Sequence, residues 1–397
     1  MNPNLSRLQP YPFQKLNSLL AGVAPNSALA PISLSIGEPQ HATPVFIKSA
    51  LISNLDGLST YPATPGSEAL RNAIADWVCR RYRIPRLDPG KQILPVNGSR
   101  EALFAFAQAV IDASKPKPVV IAPNPFYQIY EGAALLAGAT PRFINLLATN
   151  DFALDFDQID AADWRTTQLV YVCSPGNPTG HVTPLAQWQK LFELSDRYGF
   201  VIASDECYSE IYFDDDAKPL GALEAAHRLG RDGYPRLVMF SSLSKRSNVP
   251  GMRSGFVAGD AVILEKFLLY RTYHGCAMSP AVQAASMAAW QDDAHVADNR
   301  RLYREKFAAV VPILRESCEI HPPQAGFYLW VGTPTADTEF AKLLYQNYNV
   351  KVLPGSYLAR EAHRANPGKN RVRIALVAPL QECIEAAHRL RQCFSSL

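Results

Sequence analysis

Lys245 lies in the run Ser241-Ser242-Leu243-Ser244-Lys245-Arg246, and Arg253 follows within Pro250-Gly251-Met252-Arg253-Ser254-Gly255. An amine, hydroxyls and a guanidinium are thereby gathered just past an apolar run, Leu237 to Phe240. Free in water, a lysine is protonated and a poor nucleophile, with a pKa of about 10.4. Partly desolvated beside another cation, it is biased toward the neutral amine that condenses with an aldehyde, and Arg253 supplies such a cation. The same arginine offers a planar fork and Ser242 a single hydroxyl donor, a pair suited to a phosphate dianion. These groups suit a covalently held, phosphorylated aldehyde such as pyridoxal phosphate. Ser-x-x-Lys alone is a common loop sequence, so the reading depends on its neighbours.

Upstream, Leu169-Val170-Tyr171-Val172-Cys173 is a β-branched apolar run broken by Ser174-Pro175-Gly176-Asn177-Pro178-Thr179-Gly180, which reads as a buried strand ending in a rigid loop. A second such run, Phe200-Val201-Ile202-Ala203-Ser204, stops at Asp205, with Tyr208 three residues later. Ligands of open α/β sheets collect outside the carboxyl ends of the strands, where Asn177, Asp205, Tyr208 and Lys245 would all fall. Each has an ordinary explanation alone: a turn former, a helix N-cap, a core phenol with a wet hydroxyl. Jointly they match one ring. A carboxylate keeps a pyridine nitrogen protonated and makes the ring an electron sink, while an amide and a phenol hydrogen-bond its 3-oxygen.

The elements that must position these groups follow a βα rhythm. Strands are expected at Ile93 to Val96, Val119 to Ile121, Pro141 to Ile144, Leu169 to Val172, Val201 to Ser204, Leu237 to Phe240 and Gly255 to Ala258, separated mostly by helical patterns or turns. That predicts an α/β fold with a mostly parallel seven-stranded sheet between helices. A long helical stretch from Ala281 to Arg315 then leads to strand-like runs at Gly326 to Val331, Val350 to Leu353 and Arg371 to Ile374, a smaller α+β unit.

Composition excludes several other classes. Lys plus Arg number 39 against 36 for Asp plus Glu, a net charge of +3 that is too slight to argue for nucleic acid or an anionic membrane. The 31 prolines and 22 glycines are dispersed without period or low-complexity tract, which argues against solenoids and linkers. Seven scattered cysteines, with no Cys-x-x-Cys, read as reduced and mostly buried thiols. No His-x-x-x-His spacing supports a metal. Met1 to Arg7 lacks an apolar signal core, and no run of roughly 18 apolar residues could span a bilayer, so a cytoplasmic protein is expected.

From Ser35-Ile36-Gly37-Glu38-Pro39 through Arg371-Val372-Arg373-Ile374, the motifs and their order resemble the fold-type I, aspartate aminotransferase-like family of pyridoxal phosphate enzymes. The resemblance implies that Lys245 forms the Schiff base, Asp205 pairs with the pyridinium, and Asn177 and Tyr208 bind the 3-oxygen. Asn97-Gly98-Ser99-Arg100, before a helical pattern from Glu101 to Ile111, is similar to the family's phosphate cradle, where helix N-terminal N–H groups meet the anion. Ser99 and Arg100 would donate there beside Ser242 and Arg253. Within Asn124-Pro125-Phe126-Tyr127 the family places an aromatic ring over the cofactor, with Tyr127 in register and Phe126 as the alternative. The resemblance further implies that Tyr61 reaches the neighbouring subunit's phosphate in a homodimer with shared active sites. Arg373, directly before an apolar pair, would grip the substrate α-carboxylate with Asn177 and the backbone of Gly37 close by; Arg371 faces the other way if this is a strand. The expected organisation is a large cofactor-binding domain at 46–285 and a small domain made of 1–45 and 286–397.

Ping-pong transamination of amino acids and 2-oxo acids is the implied activity, with the freed amine of Lys245 moving the α-proton. The stretches Leu94 to Phe104 and Ser241 to Gly251 are most similar to bacterial succinyldiaminopimelate aminotransferases of lysine biosynthesis, which use glutamate and 2-oxoglutarate as the other pair. Alternatives within the fold are an acetylornithine, aspartate or aromatic aminotransferase, or a carbon–sulfur β-lyase. A non-catalytic ligand-sensing domain has less support, because about 45 residues precede the large domain and contain no helix-turn-helix pattern.

Overall fold

The computed structural model describes residues 1–318 and 320–397. Seven strands form the larger sheet: β1 (Ile93–Val96), β2 (Val119–Asn124), β3 (Thr140–Asn145), β4 (Thr167–Cys173), β5 (Val201–Asp205), β6 (Leu237–Ser242) and β7 (Gly255–Gly259). Their order is β1-β7-β6-β5-β4-β2-β3. Only β7 is antiparallel to its neighbours. All seven expected strands are therefore present, several longer by one to three residues.

Both faces of this sheet are covered, which explains why its central strands read as continuous apolar runs rather than as alternations. The alternation survives in the packing. Val170, Val172, Ile202, Leu237, Met239 and Phe256 join Trp77, Trp188 and Trp290 in one core. Their sequence neighbours Leu169, Tyr171, Ala203, Val238, Phe240 and Val257 join Phe106, Tyr130 and Phe267 in the core on the opposite face.

A second sheet holds β8 (Tyr328–Gly332), β9 (Leu353–Pro354) and β10 (Arg371–Ala375) in the antiparallel order β9-β10-β8. Ile32–Ser33 pairs in parallel with Val350–Lys351. Ile32 and Leu34 thereby enter a core with Leu314, Leu329, Val331, Phe340, Ile374 and Leu390. The N-terminal segment is thus anchored against the C-terminal part of the chain.

Two expectations require correction. The stretch from Ala281 to Arg315 is two helices, Pro280–Gln291 and Ala294–Arg315. At the break the Asp292 carboxylate accepts from the His295 backbone N–H at 3.0 Å, and buried Arg246 donates to the Asp292 carbonyl and to Asp293. The side chain thus satisfies a first-turn donor and ends the preceding helix. The seven cysteines are all free, but only Cys383 and Cys393 are fully buried; Cys173, at the end of β4, and Cys207, in the turn after β5, for instance, line a cleft. Among the described residues no helix is long and apolar enough to cross a membrane.

Candidate active site

A cleft of about 530 Å³ opens at the carboxyl ends of β4, β5 and β6, whose last residues Cys173, Asp205 and Ser242 all line it. Because β7 runs the other way, its beginning lies at this same end, and Arg253 just before it reaches the cleft. β1 points the same way as β6, so the helix Ser99–Val110 also starts here. From the second sheet come Tyr328 and Arg373, and from the N-terminal segment Tyr11, Gly37 and Glu38.

Lys245 stands in the one-turn helix Leu243–Arg246 after β6. It is half-buried because it faces the open cleft, yet desolvation dominates its titration. Burial first, then Arg373 and Arg253, lower its pKa from 10.5 to about 8, while Cys207 and Glu38 act in the opposite sense. Its Nζ donates to the Gly37 carbonyl and lies 5.6 Å from the centroid of the Phe327 ring.

Asp205 is buried, and desolvation pushes its carboxyl up. The Tyr130 hydroxyl donates to Oδ2 at 2.7 Å and the Cys207 backbone N–H to Oδ1 at 3.3 Å. Among the described residues no cation pairs with it. A buried carboxylate supplied with neutral donors but no counter-charge is matched to a cationic ring nitrogen.

The other end suits a phosphate. Gly98 precedes the helix Ser99–Val110 with φ +86° and provides no side-chain cap, so the first-turn N–H groups are left for an external acceptor. A Cβ at Gly98 would fall 2.3 Å from Arg253 Nη2. Arg253 Nη1 donates to the Pro250 carbonyl at 2.8 Å, and the Ser242 hydroxyl lies 2.9 Å from that of Ser244. Ser99 Oγ accepts from the Cys207 thiol at 3.0 Å. Arg100 is aimed differently from the expectation, with Nε donating to the Tyr127 hydroxyl and Nη2 to that of Tyr11, both at 2.8 Å.

Tyr127 lines the cleft, whereas Phe126 is buried against Phe143, ring centroids 4.8 Å apart. The Tyr208 and Tyr328 hydroxyls lie 3.0 Å apart. In β10 the alternation of side chains separates the two arginines. Arg373 enters the cleft and donates to Asn177 Oδ1 at 3.0 Å and to the Ser35 carbonyl at 2.9 Å, leaving its buried Nε without a partner. Arg371 instead lies over the Phe152 ring. A Cβ at Gly37 would be 1.9 Å from the Tyr328 hydroxyl, so only glycine permits this close approach of backbone to tyrosine. Of the expected site residues, Tyr61 alone is not at this cleft; it is fully exposed to solvent.

Tyr328, Tyr11 and Glu38 were not anticipated as cleft residues, nor was Tyr130 as the buried donor to Asp205. Tyr130 was within reach of sequence reasoning, since it stands one helical turn after Tyr127. Tyr328 owes its place to the register that pairs it with Ala375, and Tyr11 to the docking of a remote segment; neither leaves a local signal. Away from the cleft, Glu101, His274 and Cys276 gather ligand-type atoms that no spacing rule revealed. Arg271 Nη1 already donates to both oxygens of the Glu101 carboxylate, at 2.7 and 2.9 Å.

Comparison with known proteins agrees with this geometry. The chain is 52% identical, with a TM-score of 0.96, to an aminotransferase of Neisseria meningitidis Z2491, covering 99% of this chain and all of that one. It is 31% identical over 392 residues to an LL-diaminopimelate aminotransferase of Nitratidesulfovibrio vulgaris strain DP4, covering 97% of each. A structure from Thermus thermophilus, described as a probable N-succinyldiaminopimelate aminotransferase, shares 26% identity at a TM-score of 0.84 over 96% of this chain and 98% of that one. The aminotransferase class I and II family matches residues 30–390, a span that holds every residue lining the cleft except Tyr11, Pro12 and Phe13. The chain therefore belongs to the class I and II aminotransferases, pyridoxal-phosphate-dependent enzymes that exchange an amino group between amino acids and 2-oxo acids.

Proposed function

We propose that this aminotransferase acts through Lys245, Asp205 and Tyr208, on N-succinyl-LL-2,6-diaminopimelate with 2-oxoglutarate as acceptor. The observation that carries the chemical reading is a buried, cation-free carboxylate in the same cleft as a lysine whose pKa is lowered to about 8. Pyridoxal phosphate, when bound, would supply an electron sink for the substrate's α-carbon. Asp205 would balance the charge on its ring nitrogen. Asn177 and Tyr208 would hold the 3-oxygen, and Ser99, Ser242 and Arg253 would surround the phosphate, while Arg100, expected there too, is turned onto the Tyr127 and Tyr11 hydroxyls. Arg373 presents its fork to the substrate carboxylate beside Gly37, with Asn177 and Ser35 holding the guanidinium in plane. The Lys245 amine, neutral in a substantial fraction near pH 8, takes the α-proton and returns it. Tyr127 covers the ring, oriented by its bond from Arg100.

The substrate assignment rests on similarity to the Thermus protein and on the sequence stretches around Asn97 and Lys245. A second reading, unmodified LL-diaminopimelate, is favoured by the Nitratidesulfovibrio relative. A panel of donors against 2-oxoglutarate separates them: the succinylated compound is expected to give the highest kcat/KM. A larger value for LL-diaminopimelate, acetylornithine, aspartate or an aromatic amino acid transfers the assignment to that donor. Release of pyruvate and thiol from a cysteine conjugate would make the protein a lyase.

Tyr61 is proposed to complete a partner's site in a homodimer. Its full exposure is accompanied by exposed apolar Val45, Ile52 and Leu58 nearby in the chain, and by Leu269 and Tyr273 on the helix Ala261–His274. Sedimentation equilibrium of the holoenzyme is expected to give twice the mass of one chain. A fully active monomer would overturn the shared site.

A further inference from the structure

The long helix Ala294–Arg315 carries three buried side chains that the chemistry above does not use: Asn299, Tyr303 and Lys306. Their spacing of four and three residues places them on one stripe. Lys306 is 3% exposed, and among the described residues no carboxylate pairs with it. A buried cation without a counter-charge is costly and needs an explanation. Its ammonium donates to His41 Nε2 at 2.7 Å and to the Val377 carbonyl at 3.2 Å.

The hydrogen bonds beyond His41 have only one consistent polarity. The Asn299 amide Nδ2 donates to the main-chain carbonyls of Lys245, at 3.1 Å, and Arg246, at 3.4 Å. Its Oδ1 must then accept, from Asn248 Nδ2 at 3.1 Å and from His41 Nδ1 at 2.8 Å. The imidazole proton is therefore on Nδ1, which leaves the Nε2 lone pair for Lys306. A directed chain runs from the ammonium through a neutral imidazole and an amide to the peptide carbonyl of Lys245.

The same short segment touches Lys245 at its tip. Gly37, four residues before His41, accepts from Nζ through its carbonyl. Thr43, two residues after His41, donates to the Asn248 carbonyl at 2.8 Å. Residues 37–43 thus hold the amine directly and the pivot of its side chain through Asn299.

We propose that Lys306, His41 and Asn299 are positioning residues that fix the main chain at Lys245, so that its amine swings between cofactor and substrate from a stationary base. None of the three touches the reacting atoms. A general base misplaced by a fraction of an ångström loses rate while substrate binding is left intact.

The inference rests on Lys245 being the reactive lysine, which borohydride trapping of the wild-type holoenzyme tests first. Label on another residue refutes that assignment and the network with it, whereas label on Lys245 leaves the network to be judged by its own variants. His41→Phe and Asn299→Ala are expected to lower kcat with glutamate about tenfold or more, with KM within about twofold. The isotope effect on kcat with α-deuterated glutamate should rise. His41→Gln, whose amide offers a donor and an acceptor at similar spacing, should recover most of the rate. In the cofactor-free protein, competitive acetylation by acetic anhydride across pH reads Lys245 itself. Its midpoint is expected near 8 in the wild type, and closer to the solvent value of about 10.4 in Asn299→Ala, where a slackened segment admits water. If Asn299→Ala does not fold, Lys306→Met carries the same test while filling the space of the stem. Unchanged kcat, isotope effect and acetylation midpoint in folded variants overturn the proposal, and so does equal loss in His41→Gln and His41→Phe.

Discussion

Lys245→Ala is expected to lower kcat by about 10⁴-fold or more, because one amine serves both as the covalent anchor and as the proton carrier, and general acid–base transfer alone contributes about 10² to 10⁴. The wild-type amine is prepared for both tasks by burial and by Arg373 and Arg253, which bring it to about 8. No neighbouring group takes its place. Cys207 and Tyr208 also line the cleft, but burial holds the thiol and the phenol in their neutral forms, and the Glu38 carboxylate cannot form the covalent bond to an aldehyde. The visible absorption of lysine-bound cofactor and its fixation by borohydride should disappear together. Because the phosphate end is built from other residues, cofactor content measured after acid release is expected to fall less than activity. Turnover within tenfold of the wild type, or borohydride label at wild-type stoichiometry, would remove Lys245 from the centre of the reaction.

Asp205→Asn should lower kcat about 10³-fold, close to what loss of one preorganised electrostatic partner costs other enzymes. Tyr130 and the Cys207 N–H both donate to this side chain, so its surroundings are arranged for an acceptor on each oxygen. An amide is nearly isosteric, but it turns one acceptor into a donor that faces a donor. That mismatch costs about 1–3 kcal/mol in a buried site. The larger effect is chemical: without the carboxylate, nothing among the described residues keeps a ring nitrogen protonated. Stopped-flow measurement of a single turnover with glutamate checks it. A rate within tenfold of the wild type would mean that Asp205 is only a satisfied core acid.

Local sequence announced the strands of the large sheet because their apolar β-branched runs are long and are bounded by turn residues; the runs expected to end at Val172, Ser204 and Phe240 are observed, extended by one or two residues to Cys173, Asp205 and Ser242. The break between Gln291 and Ala294 is marked in sequence only by Asp292-Asp293, polar residues that an exposed helical face also accommodates. What ends the helix is Asp292 capping His295, together with a guanidinium from Arg246, 46 residues away in the chain. Thiol burial was overestimated for a related reason, since strand ends that look apolar in sequence open into a cleft.

The order of elements, the groups gathered at the carboxyl ends of the strands, and the choice of Arg373 over Arg371 could all be reached from the chain alone. The first two depend on periodicity and short motifs, and the third on the family resemblance. Only tertiary structure decided that Arg100 braces Tyr127 and Tyr11, that Tyr328 closes over Gly37, and that His41 and Asn299 meet behind Lys245. Those contacts join segments far apart in sequence, and their geometry is set by how the packed layers dock. No local pattern of residues encodes that docking, because it comes from burying two cores at once.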